Sequence, residues 1–270
     1  RREKHINKTL FRMEWKSAWK LLLIFILILA MYFSIMLTMF DPELGSALAQ
    51  FEKLMPEMMA AVGMSGTAAT LVDFFSTYLY GMIMIMFPFL FSVILSLRLL
   101  VKKVDNGSMT YLLSCGEKRS RVWMTQLAVL LSALFLLIAF CTLMGIVCSI
   151  LMFPGDLDIA AFLRLNLGCL LLQTALASIS FLASSALNEY RHAALIGAGT
   201  GVVFIMIQML ANMKGNLEKL QYATIMTLFD TQGLIANEAQ AWARLGVLLL
   251  IAGSCLLIAR RSFMQRDLSL

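Results

Sequence analysis

Six uninterrupted apolar runs, each about twenty residues long, constrain this chain more than any other feature. A backbone crossing a hydrocarbon core of ~30 Å must satisfy its own N–H and C=O groups, and about 20 apolar residues in a helix do so. The runs are 21–40, 79–100, 127–153, 165–187, 193–213 and 239–259. Apolar residues make up 60% of the 270 positions and charged ones only 14%, against roughly 45–50% and 25% in soluble domains. The sixth run is strictly apolar only over 245–259, and the preceding "AQAWAR" gives it spanning length. Trp242 and Arg244 then sit at headgroup level, the arginine snorkelling. The expected fold class is an all-α membrane protein: one transmembrane domain over 1–270 with six transmembrane helices.

The net charge of +6 would fit a nucleic-acid binder, but its distribution does not. With the amino terminus in the cytoplasm, the inner segments carry 17 Lys or Arg against six acids (Glu3, Glu14, Asp105, Glu117, Glu189 and Asp267). The outer loops carry five basic and ten acidic residues, so the two sides are +11 and −5. This is the positive-inside asymmetry, which orients a membrane protein and needs no nucleic acid to explain it. Both termini are expected in the cytoplasm. The sequons at Asn7 and Asn106 then lie inside and carry no glycan. "ALA" at 47–49 resembles a signal-peptidase site, but the 20-residue run before it exceeds the usual 7–15-residue signal core. Cys115, Cys141, Cys148, Cys169 and Cys255 follow no disulfide or zinc spacing and read as small core residues.

Around the spans, amphipathic pieces recur. In residues 1–20, Lys4, Lys8, Arg12, Lys16 and Lys20 are spaced by four, beside a ladder of Phe11, Trp15 and Trp19. The pattern predicts an interfacial helix along the inner headgroups before the chain turns into the bilayer, or simply a basic flank. The first outer loop repeats Leu44, Leu48, Phe51, Met55, Met58 and Val62 at helical spacing, broken by Pro56 and followed by the hinge "GMSGTAA". A similar stretch, "NLEKLQYATIMTLFDTQGLIANE", precedes the sixth span. Both predict amphipathic helices on the outer face, which either pack on the bundle or contact an apolar substrate.

The spans hold no Asp or Glu at hydrocarbon depth, which disfavours an ion-coupled carrier, since such carriers use intramembrane carboxylates. Their larger polar groups are Gln173, Gln208 and Asn212, the candidates for a substrate pathway. Gly197 and Gly201 have the GxxxG spacing of close helix packing, within the chain or in a dimer. Pro88 is expected to kink the second span. No HExxH, GxSxG or GxxxxGK[ST] motif occurs, and His5 and His192 are far apart. The chain therefore reads as non-catalytic, with no metal or cofactor of its own.

The loop 102–126, between the second and third spans, stands out. "DNGSMTYLLSCGEKRSR" is too charged for a bilayer, yet its middle is apolar. Asp105-Asn106-Gly107 predicts a turn, Ser108 a helix N-cap and Gly116 its C′ terminator. Met109, Leu112 and Leu113 fall on one face, which seeks the bilayer surface or a protein groove. Burial of the two leucines is worth roughly 3–6 kcal/mol.

This segment resembles the cytoplasmic coupling loop of ABC-2-type transporter permeases: an acidic residue, Gly-Thr, a run ending Leu-Leu-Ser, then x-Pro-x-Ser-Arg. Asp105, Gly107, Ser108, Leu112, Leu113, Ser114 and Arg119 stand at the corresponding steps. Gly116 replaces the family's proline and Lys118 a frequent serine. "LMPEMMAAVG", "TIMTLFD" and the ending Phe263, Arg266, Asp267 and Leu268, which is similar to F-x-x-R-D-L, extend the resemblance in family order. The resemblance implies a multi-pass permease subunit in the cell membrane, paired with an identical or homologous second subunit. Each coupling loop, Met109 included, would dock on a separate ATP-binding subunit that holds ATP and Mg. The family exports peptides, lipids, sodium or drugs. The apolar outer stripes and uncharged spans favour a hydrophobic or amphipathic cargo. A signalling or assembly scaffold is the alternative from another class.

Overall fold

The computed structural model describes residues 6–40, 50, 53–61, 70–213 and 216–266. Its long helices are α1 (Lys8–Thr38), α4 (Ile83–Leu99), α7 (Arg119–Met152), α8 (Ile159–Ala186), α9 (Tyr190–Asn212) and α11 (Ala239–Gln265). Shorter ones are α2 (Pro56–Ala61), α3 (Leu71–Tyr78), α5 (Val101–Asp105), α6 (Ser108–Ser114) and α10 (Thr231–Ile235). Six helices, with α5 continuing α4, are long and apolar enough to cross a membrane, one for each expected run. The chain is a helical multi-pass membrane protein, and no strand occurs among the described residues.

The helix α8 is the centre of the bundle. Its most apolar stretch is 67% buried, against 17% for α9 and 22% for α11. It packs on α11, α4, α9 and α7, while α1 lies along α7. Small residues permit the close approaches. A methyl group added at Gly201 would lie 2.0 Å from the Phe89 ring, and one at Gly197 3.4 Å from Ser180 Cα. The GxxxG face of α9 is therefore spent inside the chain, against α4 and α8.

One expectation about the N-terminal segment is corrected. No turn separates an interfacial helix at 1–20 from a span beginning at Leu21, because α1 is continuous over its 31 residues. Nothing in 8–38 interrupts it, and its buried line Leu10, Glu14, Ala18, Leu22, Phe25, Leu29, Phe33 and Leu37 runs through residue 20 without a break. At 1.5 Å per residue the helix is about 46 Å long, so it outreaches a ~30 Å core. The basic stripe Lys8, Arg12, Lys16 and Lys20 is exposed on this helix, and Phe11 stacks on Trp15 at 5.9 Å.

The end opposite the chain termini also differs in part from expectation. The break expected at Pro56 is present: residues 50, 53 and 54 are helical, Met55 is a bend, and Pro56 opens α2, where its missing N–H is harmless at a first position. Leu44, Leu48, Phe51, Val62 and the 63–69 hinge lie outside the described residues. The stretch before the sixth span is two 3-10 helices (Asn216–Ala223 and Ile225–Leu228) followed by α10, instead of one amphipathic helix. Local side chains compete for its backbone: Thr224 accepts from the Met226 N–H, Asp230 accepts from the Gly233 N–H, and Thr227 donates to the Gln221 carbonyl. These pieces pack on α9, α8 and α11. Arg244 does not simply snorkel; it pairs with Asp230 at 2.8 Å, and the Trp242 indole donates to Asn237. All five cysteines are free thiols.

Candidate functional site

The loop between the second and third spans is built by backbone geometry first. Leu100 leaves α4 with φ −118° and ψ −76°, and the short α5 carries the chain to Asn106. Gly107 then takes φ +73°, a left-handed conformation that costs glycine little. The N-cap of α6 is therefore Gly107, not Ser108, which is the first helical residue. The capping acceptor is supplied one residue earlier: Asn106 Oδ1 accepts from the Ser108 N–H at 3.1 Å and from its hydroxyl at 2.7 Å. At the other end Gly116 has φ +82° and donates to the Leu113 carbonyl, the expected C′ terminator. Ser114 Oγ donates to the Tyr111 carbonyl.

The apolar face of α6 turns toward its own chain. Met109 is 1% exposed within the core, and Leu112 and Leu113 are half-buried against it. The large side chain left outside is Tyr111, 77% exposed. Beside it an open groove of about 470 Å³ is bordered by Leu10 and Met13 of α1 and by Tyr111, Leu112 and Cys115. Asp105 is exposed at the end of α5. Arg119 turns elsewhere, donating to the Arg266 carbonyl at 2.8 Å. Arg266 in turn donates to Asn188 Oδ1 and the Leu187 carbonyl, tying the ends of α8 and α11 to the start of α7. Burial lowers the pKa of Arg266 to about 10, so it stays charged near neutrality. Phe263 is buried; Asp267 and Leu268 lie outside the described residues.

What holds α6 in place is a polar node. Glu14, buried on α1, forms an ion pair with Lys103 of α5 and accepts from Gln126 Nε2 of α7 at 3.4 Å. Nearby, the Asn7 amide donates to Glu117 at 2.8 Å and its backbone N–H to Thr125 Oγ1 at 3.0 Å. Arg121 also reaches Glu117, at 3.3 Å. The first turns of α1 thus strap the segment on both sides of α6. Sequence reasoning counted Glu14 only as an inner acid. The signal was its register, four residues from both Leu10 and Ala18 on the buried line of α1.

The three pathway candidates separate. Gln208 Nε2 donates to Asn212 Oδ1 at 2.8 Å, and both line a cavity with Gly81, Met82 and Met86. Its volume, about 30 Å³, holds a water or two and no larger ligand. Gln173 does not line it. Its Nε2 donates to the Met84 and Ile85 carbonyls at 3.0 and 2.9 Å. Pro88 explains this bond, since it lacks the N–H that would otherwise reach Met84 four residues back. The helix continues through Pro88, and the acceptor freed there is taken by Gln173 and, more weakly, by the Cys169 thiol at 3.6 Å. Gln173 thus clamps α4 at Pro88 through its Nε2, while its buried Oε1 has no hydrogen-bond partner among the described residues.

No group of His, Cys, Asp and Glu among the described residues could hold a metal ion. No protein-family model matches the chain, and no curated protein matches it.

Proposed function

We propose that the chain is the membrane-spanning permease subunit of an ATP-driven ABC exporter. Two such subunits would form the translocation pathway, each coupled through α6 to a separate ATP-binding subunit on the cytoplasmic side. The carrying observation is α6 itself: a short helix between two spans, closed by left-handed glycines at both ends, that leaves Tyr111 exposed. The bonds from α1 and α7 around it support a mechanical role. A push on a helix so strapped is passed to three spans at once, since Glu14, Lys103 and Gln126 belong to three different elements. The lack of any phosphate-binding loop in the sequence agrees with ATP hydrolysis on another chain.

The contact that α6 would offer an ATPase is Tyr111 with the adjoining groove, which Leu112 borders, while Met109 and Leu113 pack on the chain's own core. The test is therefore Tyr111→Glu, a change at an exposed position that leaves the fold intact. The unaltered chain purified from its native membrane should carry with it a protein bearing a phosphate loop. Tyr111→Glu should reduce that association at least tenfold while the six spans remain inserted. Equal recovery of the ATPase with both chains would refute the coupling role of α6.

A further inference from the structure

At the end of the bundle opposite the termini, α9 and α11 both pack on α8, and a groove of about 460 Å³ opens between them. That volume lies within the range of small-molecule sites. Phe204 of α9, Arg244 and Ile251 of α11 and the 3-10 segment around Thr224 and Thr227 line it, Arg244 being nearer the start of α11 than Ile251. Arg244 and Ile251 are seven residues apart on one helix, about 10 Å along the span. Along α11 the lining therefore passes from a charged side chain to an apolar one in the direction in which a bilayer does.

The polar end is selective. Asp230 caps α10 by accepting from the Gly233 N–H through Oδ1, while Oδ2 accepts from Arg244 Nη1. Each carboxylate oxygen thus has a partner, and the pair fixes the guanidinium in place. Among the described residues no other hydrogen bond engages Arg244, whose side chain remains 41% exposed. The Thr224 hydroxyl donates to the Phe204 carbonyl and that of Thr227 to Gln208 or the Gln221 carbonyl, so both protons are committed. What the Arg244 end offers a ligand is a held guanidinium with spare N–H donors, the geometry that grips a phosphate or carboxylate.

We propose that this groove binds one anionic amphiphile from the adjacent leaflet, its phosphate or carboxylate on Arg244 and its tail against Phe204 and Ile251. Calling that molecule a transported substrate rests on the exporter function proposed above. Its binding does not, and the test uses the chain without an ATPase. The purified full chain is equilibrated with mixed micelles containing equal phosphatidylglycerol and phosphatidylcholine, and the lipids retained are counted by native mass spectrometry. The unaltered chain should retain one equivalent of phosphatidylglycerol with at least fivefold preference. Arg244→Gln should abolish that equivalent, and Arg244→Lys should keep part of it. Ile251→Trp, which leaves the Arg244–Asp230 pair untouched and fills the tail end, should also lose it. Should Arg244→Gln fail to fold, Ile251→Trp decides alone. Equal retention of the two lipids by the unaltered chain would overturn the proposal. So would an unchanged phosphatidylglycerol equivalent in Ile251→Trp.

Discussion

Neutralising either member of the Glu14–Lys103 pair should cost far more than losing a surface ion pair, and the two costs should be unequal. The Glu14 side chain is 7% exposed and that of Lys103 18%. Removing one partner of a buried pair leaves an uncompensated charge, at about 3–5 kcal/mol. In Glu14→Gln the stranded charge is the lysine, whose four-carbon stem lets the ammonium reach water, so the cost falls near 3 kcal/mol. In Lys103→Met the stranded charge is the carboxylate, on a shorter stem, with only the long Gln126 contact at 3.4 Å. That cost falls near the upper end, about 4–5 kcal/mol. The double variant strands neither charge, so its cost should fall short of the sum of the single costs by at least about 2–3 kcal/mol. Reversible unfolding in mixed micelles measures all four corners of the cycle. Additivity within about 0.5 kcal/mol would show that the groups do not interact, and the account of α1 holding the α5–α6 segment would fail. The same variants should weaken coupling of any associated ATPase even where the fold survives.

Two further expectations concern the packing of α4. Gly201→Ala should destabilise by about 1–3 kcal/mol through overpacking against the Phe89 ring, and Phe89→Leu in the same chain should recover most of it; no recovery would mean that the ring is not the obstacle. Gln173→Leu should cost about 1–3 kcal/mol by leaving the Met84 carbonyl only the weak Cys169 thiol as a donor. Pro88→Ala restores the missing N–H, so the Pro88→Ala/Gln173→Leu chain should unfold at higher denaturant than Gln173→Leu alone; the reverse order would refute the clamp.

Reading the helices from the sequence worked where the governing physics is local. A span is legible because a helix satisfies its backbone within itself, so run length alone identifies 79–100 or 165–187. Gly116 was legible as a terminator because a left-handed residue after a helix is a one-position requirement. The start of α6 was misplaced by one residue because the acceptor came from Asn106, a choice among neighbouring polar side chains that spacing does not rank. The line Leu10–Glu14–Ala18–Leu22 was in the periodicity, but a basic and an aromatic stripe on the same turns masked it.

The sequence by itself determined the six helices, the asymmetry of charge between their ends and the existence of a short capped helix in the loop 102–126. Only the tertiary structure decided where the faces point. It turned Met109 into the chain's own core and left Tyr111 outside, gave Gln173 to the carbonyl orphaned by Pro88, and paired Glu14 with a lysine 89 positions away. An apolar face or a buried charge needs a partner, and its own spacing states the need without naming the partner. Which group answers is fixed by how helices distant in sequence settle against one another.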